Sequence, residues 1–148
     1  MIEAYNGPIT VVHTTAMHPL GAMVHIDGKI YQYVKGVTSG AAGSWVTFDE
    51  NYATTLLAAN AIGPVGILMA ALSTTSKYGW MQRLGVNAIA STDTIAADKP
   101  LYIDGTSGRA DDAVVVGDLI VGAISMTADS SNVATVFLNW PFVTDALG

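Results

Sequence analysis

The chain has 148 residues, of which 51% are hydrophobic and only 12% charged. That is enough for one domain with its own core, and too apolar for a disordered chain. A net charge of −6, six scattered Lys and Arg and no Cys exclude a phosphate-neutralising patch, disulfides, thiolate metal sites and thiol catalysis.

Residues 1–20 read as an extended arm. Met1-Ile2-Glu3-Ala4 carries neither a positive region nor an apolar signal core. Ile9–Thr14 is β-prone and follows the turn former Asn6-Gly7-Pro8. Its edge is free to add to another chain's sheet, which makes Ile9, Val11 and Val12 candidate partner-binding residues. His13, His18 and His25 lie close together but lack helical i, i+4 spacing and any Cys. They read as ordinary arm residues, and no metal or cofactor is expected.

Residues 21–148 read as a single β domain. Met23–Ile26 and Ile30–Val34 flank Asp27-Gly28, whose positive φ suits a type I′ hairpin turn. Alternation puts Lys29, Tyr31 and Tyr33 on one face, and Ile30, Gln32 and Val34 on the other. Trp45–Phe48 and Leu101–Ile103 are short strands ending in Asp turns. Val65–Leu72 and Leu119–Met126 are apolar runs that fit strands buried on both faces or at a subunit contact. Tyr78–Leu84 and Ala134–Trp140 return from polar turns. Asn51–Ile62 is the helix candidate, and its counterpart Gly105–Val116 is too rich in Gly and Asp for one. No stretch reaches the ~18 apolar residues of a membrane-spanning helix, since Ala61–Leu72 is broken by Gly63, Pro64 and Gly66.

Segments 41–85 and 96–141 align as two copies of one unit. Ala41–Asp49 matches Ala96–Asp104, and after a one-residue slip Val65-Gly66-Ile67 matches Val121-Gly122-Ala123. Asp49 is then equivalent to Asp104, and Gly66 to Gly122. A catalytic site is a one-off constellation, whereas a repeated strand–turn–strand unit is scaffold. The expected fold is all-β, eight to ten short strands closed as a small barrel or sandwich.

No chemistry-bearing motif competes with that reading, and no enzymatic activity is expected. Ser44 lacks a Gly-x-Ser-x-Gly frame, and the Gly36–Gly43 stretch fits no phosphate loop. Asp104–Asp112 departs from an EF-hand and reads as a solvated turn. Asp49, Glu50, Asp104 and Asp118 sit at turns, where carboxylates cap backbone. Trp45, Trp80, Trp140 and the tyrosines read as core and interface more than as a ligand face. So few charges on a small domain predict apolar surface covered by neighbouring chains, hence a homo-oligomer. The acidic balance argues against nucleic acid and anionic membranes as partners.

Asp27–Val34, Gly79-Trp80-Met81-Gln82, Asp93–Tyr102, the repeated Val-Gly before an apolar strand and the closing Asn139-Trp140-Pro141-Phe142-Val143 form an ordered pattern. Over residues 20–143 it resembles the capsid decoration (cement) and head-associated proteins of tailed bacteriophages. The resemblance implies a small tulip-like β-barrel or sandwich, commonly a trimer. It implies a seat on the outer capsid surface of the virion, across seams between major capsid protein subunits, after synthesis in the host cytoplasm. The arm would pair with capsid strands, Trp140 and Phe142 join the candidate partner-binding residues, and no catalytic residue carries over. The alternative is a carbohydrate- or host-surface-binding module of a tail or fibre.

Overall fold

The computed structural model describes residues 2, 3, 5 and 7–145. Residues 1, 4 and 6 of the expected arm, and 146–148 of the expected β domain, lie outside the described residues. The fold is all-β, and no helix forms among the described residues. Its strands are β1 (Ile2–Glu3), β2 (Met23–Ile26), β3 (Lys29–Lys35), β4 (Trp45–Phe48), β5 (Thr54–Leu56), β6 (Gly63–Leu68), β7 (Tyr78–Ser91), β8 (Pro100–Ile103), β9 (Ala110–Asp111), β10 (Leu119–Ser125) and β11 (Val133–Val143).

They form one continuous sheet of 11 strands, in the order β1-β2-β3-β7-β6-β11-β10-β8-β9, with β4 pairing β5 and β6. Among the described residues, β1–β2 is the one pair of named strands that runs parallel. The sheet does not close into a barrel; its path runs from β1 to β9. The reason lies in β7, whose 14 residues serve three partners. Its first half pairs with β3, Met81 and Gln82 pair with β6, and Leu84–Ser91 pair with β11. The β3–β7 register shifts between the Ile30↔Leu84 and Tyr31↔Gln82 pairs, bending the strand there. Because β6 also pairs β11, the sheet branches instead of closing.

The hairpin forms as its sequence dictates. Asp27 at φ 49° and Gly28 at φ 75° both occupy the left-handed region that a type I′ turn needs. Asn51–Ile62 is not helical. Tyr52 (φ 57°) and Asn60 (φ 61°) are left-handed, which interrupts any helix. Asp49 takes the N–H groups of Asn51 and Ala53. Thr54–Leu56 instead pairs with β4, and Leu57 drops fully buried into the core. Tertiary pairing overrides the local propensity of Leu56 and Leu57. Val65–Leu72 also divides: the strand ends at Leu68, and Ala70 and Leu72 fold back over it.

The two halves share their pairing pattern. Ile67↔Gln82 and Leu68↔Met81 join β6 to β7, and Ala123↔Leu138 and Ile124↔Phe137 join β10 to β11 in the same register. Phe48↔Thr54 corresponds likewise to Ile103↔Ala110. The slip sits in the first turn. Asp49 N–H donates to Ala53 O, whereas Asp104 N–H donates to Arg109 O, one residue further on. Both halves fill one core: Trp45, Val65 and Ile67 meet Leu101, Ile120, Val136 and Leu138. A second cluster holds Val34, Val46, Leu68, Leu72 and Met81, and a third holds Val24, Tyr31, Tyr33 and Trp80.

Candidate functional site

Several buried polar side chains are spent on the fold, whereas Trp80 Nε1 and Thr92 Oγ1 are buried without a partner among the described residues. Gln82 Nε2 donates to Leu84 O at 3.0 Å and Val86 O at 2.9 Å, beside the bend of β7, and Asn87 Nδ2 donates to Gln82 Oε1 at 3.0 Å. Asp118 Oδ1 accepts the Asn60 N–H at 2.9 Å and so ties the two halves together. Trp45 Nε1 donates to Ser91 O at 2.9 Å. In the Asp104–Asp112 loop the carboxylates are taken by backbone: Asp104 by Thr106, Asp111 by Ala113, Asp112 by Ala96. Among the described residues, no group of three or more His, Asp or Glu is arranged to hold a metal ion.

The expected partner-binding residues fall in two places. The arm lies along the chain's own sheet. Tyr5, Ile9, Val11, Leu20 and Ala22 pack, partly buried, on Val24, Tyr31, Tyr33 and Trp80. His13 and Tyr78 exchange both backbone hydrogen bonds, at 2.8 and 2.9 Å. His13 Nδ1 meets the Tyr33 hydroxyl at 2.7 Å, and the His18 ring stands among Tyr5, Tyr33 and Trp80. Of the three arm candidates, only Val12 is exposed. The β-prone edge seen in the sequence is thus engaged within the chain at His13, and Ile9 and Val11 are turned toward that sheet.

Trp140 and Phe142 lie on β11, 39% and 40% exposed. No hydrogen bond, ring contact or shared cluster joins them to the arm residues among the described residues. Phe142 faces Val121 across the β10–β11 pair. The Trp140 ring is 5.2 Å from the Arg83 guanidinium, which also covers the Phe48 ring at 4.8 Å. Arg83 is 8% exposed and has no carboxylate partner among the described residues. Its Nη1 donates to Gln32 Oε1 at 2.9 Å, while Nε is buried without a partner. Burial pushes its guanidinium down to about 10. Sequence reasoning missed Arg83, because a single Arg on a strand carries no local sign of burial.

It also missed the outward row across the second half. Val86 of β7 faces Phe137 of β11, Phe137 faces Ile124 of β10, and Ile124 faces Pro100 of β8. All four are exposed. The signal was present in the repeat alignment, where Ile124 and Phe137 are the counterparts of Leu68 and Met81. This surface offers shape and apolar area; it brings together no nucleophile, base and oxyanion donor.

No protein-family model matches the chain, and no match appears among curated proteins or solved structures.

Proposed function

We propose that this chain is a structural, non-enzymatic virion protein that binds the outer surface of a phage capsid and stabilises contacts between major capsid protein subunits. The observation that carries the reading is the doubled scaffold itself. In both halves the turn carboxylates are held by backbone N–H groups, while apolar side chains stand outward on β10 and β11. A unit of this kind gives a partner contact area and no chemistry. The low charge and the resemblance of the sequence pattern to capsid decoration proteins support the same reading.

Stabilisation would follow from linkage. A protein that binds the assembled lattice and not free capsid subunits stabilises the lattice by its binding free energy, ~2.7 kcal/mol per site at a free concentration 100 times Kd. The test is to mix the purified protein with expanded capsids. Co-sedimentation and a raised temperature of capsid disruption are expected. Protein left in the supernatant, with capsid disruption unchanged, overturns the proposal. Binding to a glycan array without capsid binding would transfer the assignment to a host-surface-binding module that uses the exposed Trp140.

A further inference from the structure

The outward face of the second half is the counterpart of one that the first half keeps covered. Leu68 and Met81 are fully buried, under Val37, Ala70 and Leu72. Their equivalents Ile124 and Phe137 are 50% and 36% exposed. Residues 126–132, which join β10 to β11, are two fewer than residues 69–77, which join β6 to β7 and supply Ala70 and Leu72. The uncovered face forms an open depression of about 380 Å³, lined by Pro100, Leu119, Val121, Ile124, Phe137 and Asn139 among others, with no charged side chain.

The same chain carries an apolar loop with no role in its own core. Ala113–Val116 are four successive exposed residues, with Val114 71% and Val116 82% exposed. Its two ends are pinned. Ala113 N–H donates to Asp111 Oδ1 at 3.2 Å, and Asp118 N–H donates to Val115 O at 3.1 Å. A loop held in shape before contact loses little entropy on docking.

We propose that the Ala113–Val116 loop of one copy seats in the β8–β10–β11 depression of a second copy, replacing the cover that the first half makes for itself. Neither side contributes a charge, so no unpaired ion is buried. Val116 lies three residues before Leu119, where the lining of the depression begins along β10. In a two-fold contact each copy both gives a loop and receives one. The proposal concerns the isolated chain and does not rest on the capsid reading.

The test is the solution mass from light scattering at about 50 µM, a concentration that populates a contact of micromolar Kd. The wild-type chain should run as a dimer or a higher oligomer. Val116→Asp, on an exposed loop that folding does not need, should weaken association about a hundredfold or more, since docking would bury its charge. Ile124→Asp should do the same from the other side. Circular dichroism should be unchanged in both. An equimolar mixture of the two variants retains one intact loop and one intact depression, and should regain partial association. A monomeric wild-type chain overturns the proposal, as does a Val116→Asp chain that keeps the wild-type mass. Capsid binding is measured separately, so either reading can fail without the other.

Discussion

Asp49 and Asp104 hold matching turns 55 residues apart in the chain. Asp49 Oδ1 accepts the N–H of Asn51 at 2.9 Å, two residues on, and Asp104 Oδ2 accepts the N–H of Thr106 at 2.7 Å, also two residues on. Each turn follows a short strand whose partner strands repeat as well. The surroundings differ. Asp49 is exposed, while Asp104 is 7% exposed and close enough to Asp111 to act on its charge.

That difference makes the second turn pH-sensitive. Burial pushes the Asp111 carboxyl up to about 6, and the Asp104 charge adds to the shift. An acid whose pKa is raised on folding binds more protons folded than unfolded. Its contribution to stability is therefore best below its unfolded pKa of about 3.9, and it falls as pH rises toward 6. Asp111→Asn should flatten the pH dependence of Tm between pH 4 and 6 and raise Tm at pH 7. A variant whose Tm tracks the wild type throughout that window would rule out this account.

Gly66 and Gly122 are equivalent in the alignment but restrict the chain differently. Gly122 has φ +84°, and a Cβ there would meet Asn139 O at 2.5 Å. Both the bulge in β10 and the close strand approach require glycine. Gly122→Ala should cost about 2–4 kcal/mol in urea unfolding. Gly105 has no atom within 4 Å of a built Cβ, and Gly105→Ala should stay within about 0.5 kcal/mol of wild type. Equal effects at the two sites would show that the Gly122 bulge carries no strain constraint.

The strands were legible where periodicity and turn chemistry acted locally. Asp27-Gly28 set the hairpin, and the duplicated Asp turns marked the repeat with its slip. The helix expected over Asn51–Ile62 was misread because Leu56 and Leu57 have helical propensity, while the pairing that overrides it comes from β4. Barrel closure was not legible, since it depends on β7 bending to serve three partners. The arm was read as free because its cover, Trp80 and Tyr33, lies far away in sequence. The outward row at Val86, Phe137, Ile124 and Pro100 was hidden for a related reason. A nearly continuous apolar run does not reveal which of its faces lacks a cover.

Arg83 tests how a lone cation persists in this interior. Its guanidinium contacts the Phe48 and Trp140 rings, with a single hydrogen bond to Gln32. A flat, weakly hydrated ion suits that slot, and a compact ammonium does not. Arg83→Lys should lose about 2 kcal/mol or more of stability, because it buries a strongly hydrated charge. Arg83→Met keeps the apolar stem and removes the charge, and should lose less than Arg83→Lys. The reverse order, measured by urea unfolding of the two variants, would mean that the slot needs positive charge more than ring contact.

The arm gives the last prediction. Ile9 and Val11 are partly buried on the cluster of Tyr33 and Trp80, and the Tyr5 ring lies 5.1 Å from that of Trp80. Deleting residues 2–14 removes these three side chains, the His13–Tyr78 backbone pair and the His13–Tyr33 contact. Full burial of such side chains contributes ~1.5–3 kcal/mol each, and partial burial about half of that. The truncated chain should therefore unfold cooperatively, with stability lower by about 3 kcal/mol. The core of Trp45, Val65 and Leu138 does not use the arm and should hold. Trp80, fully buried in the intact chain, gains water contact, so tryptophan emission should shift to the red. An unchanged Tm and emission would mean that the arm leaves this surface in solution and is available to a partner. Loss of all cooperative unfolding would place the arm in the core.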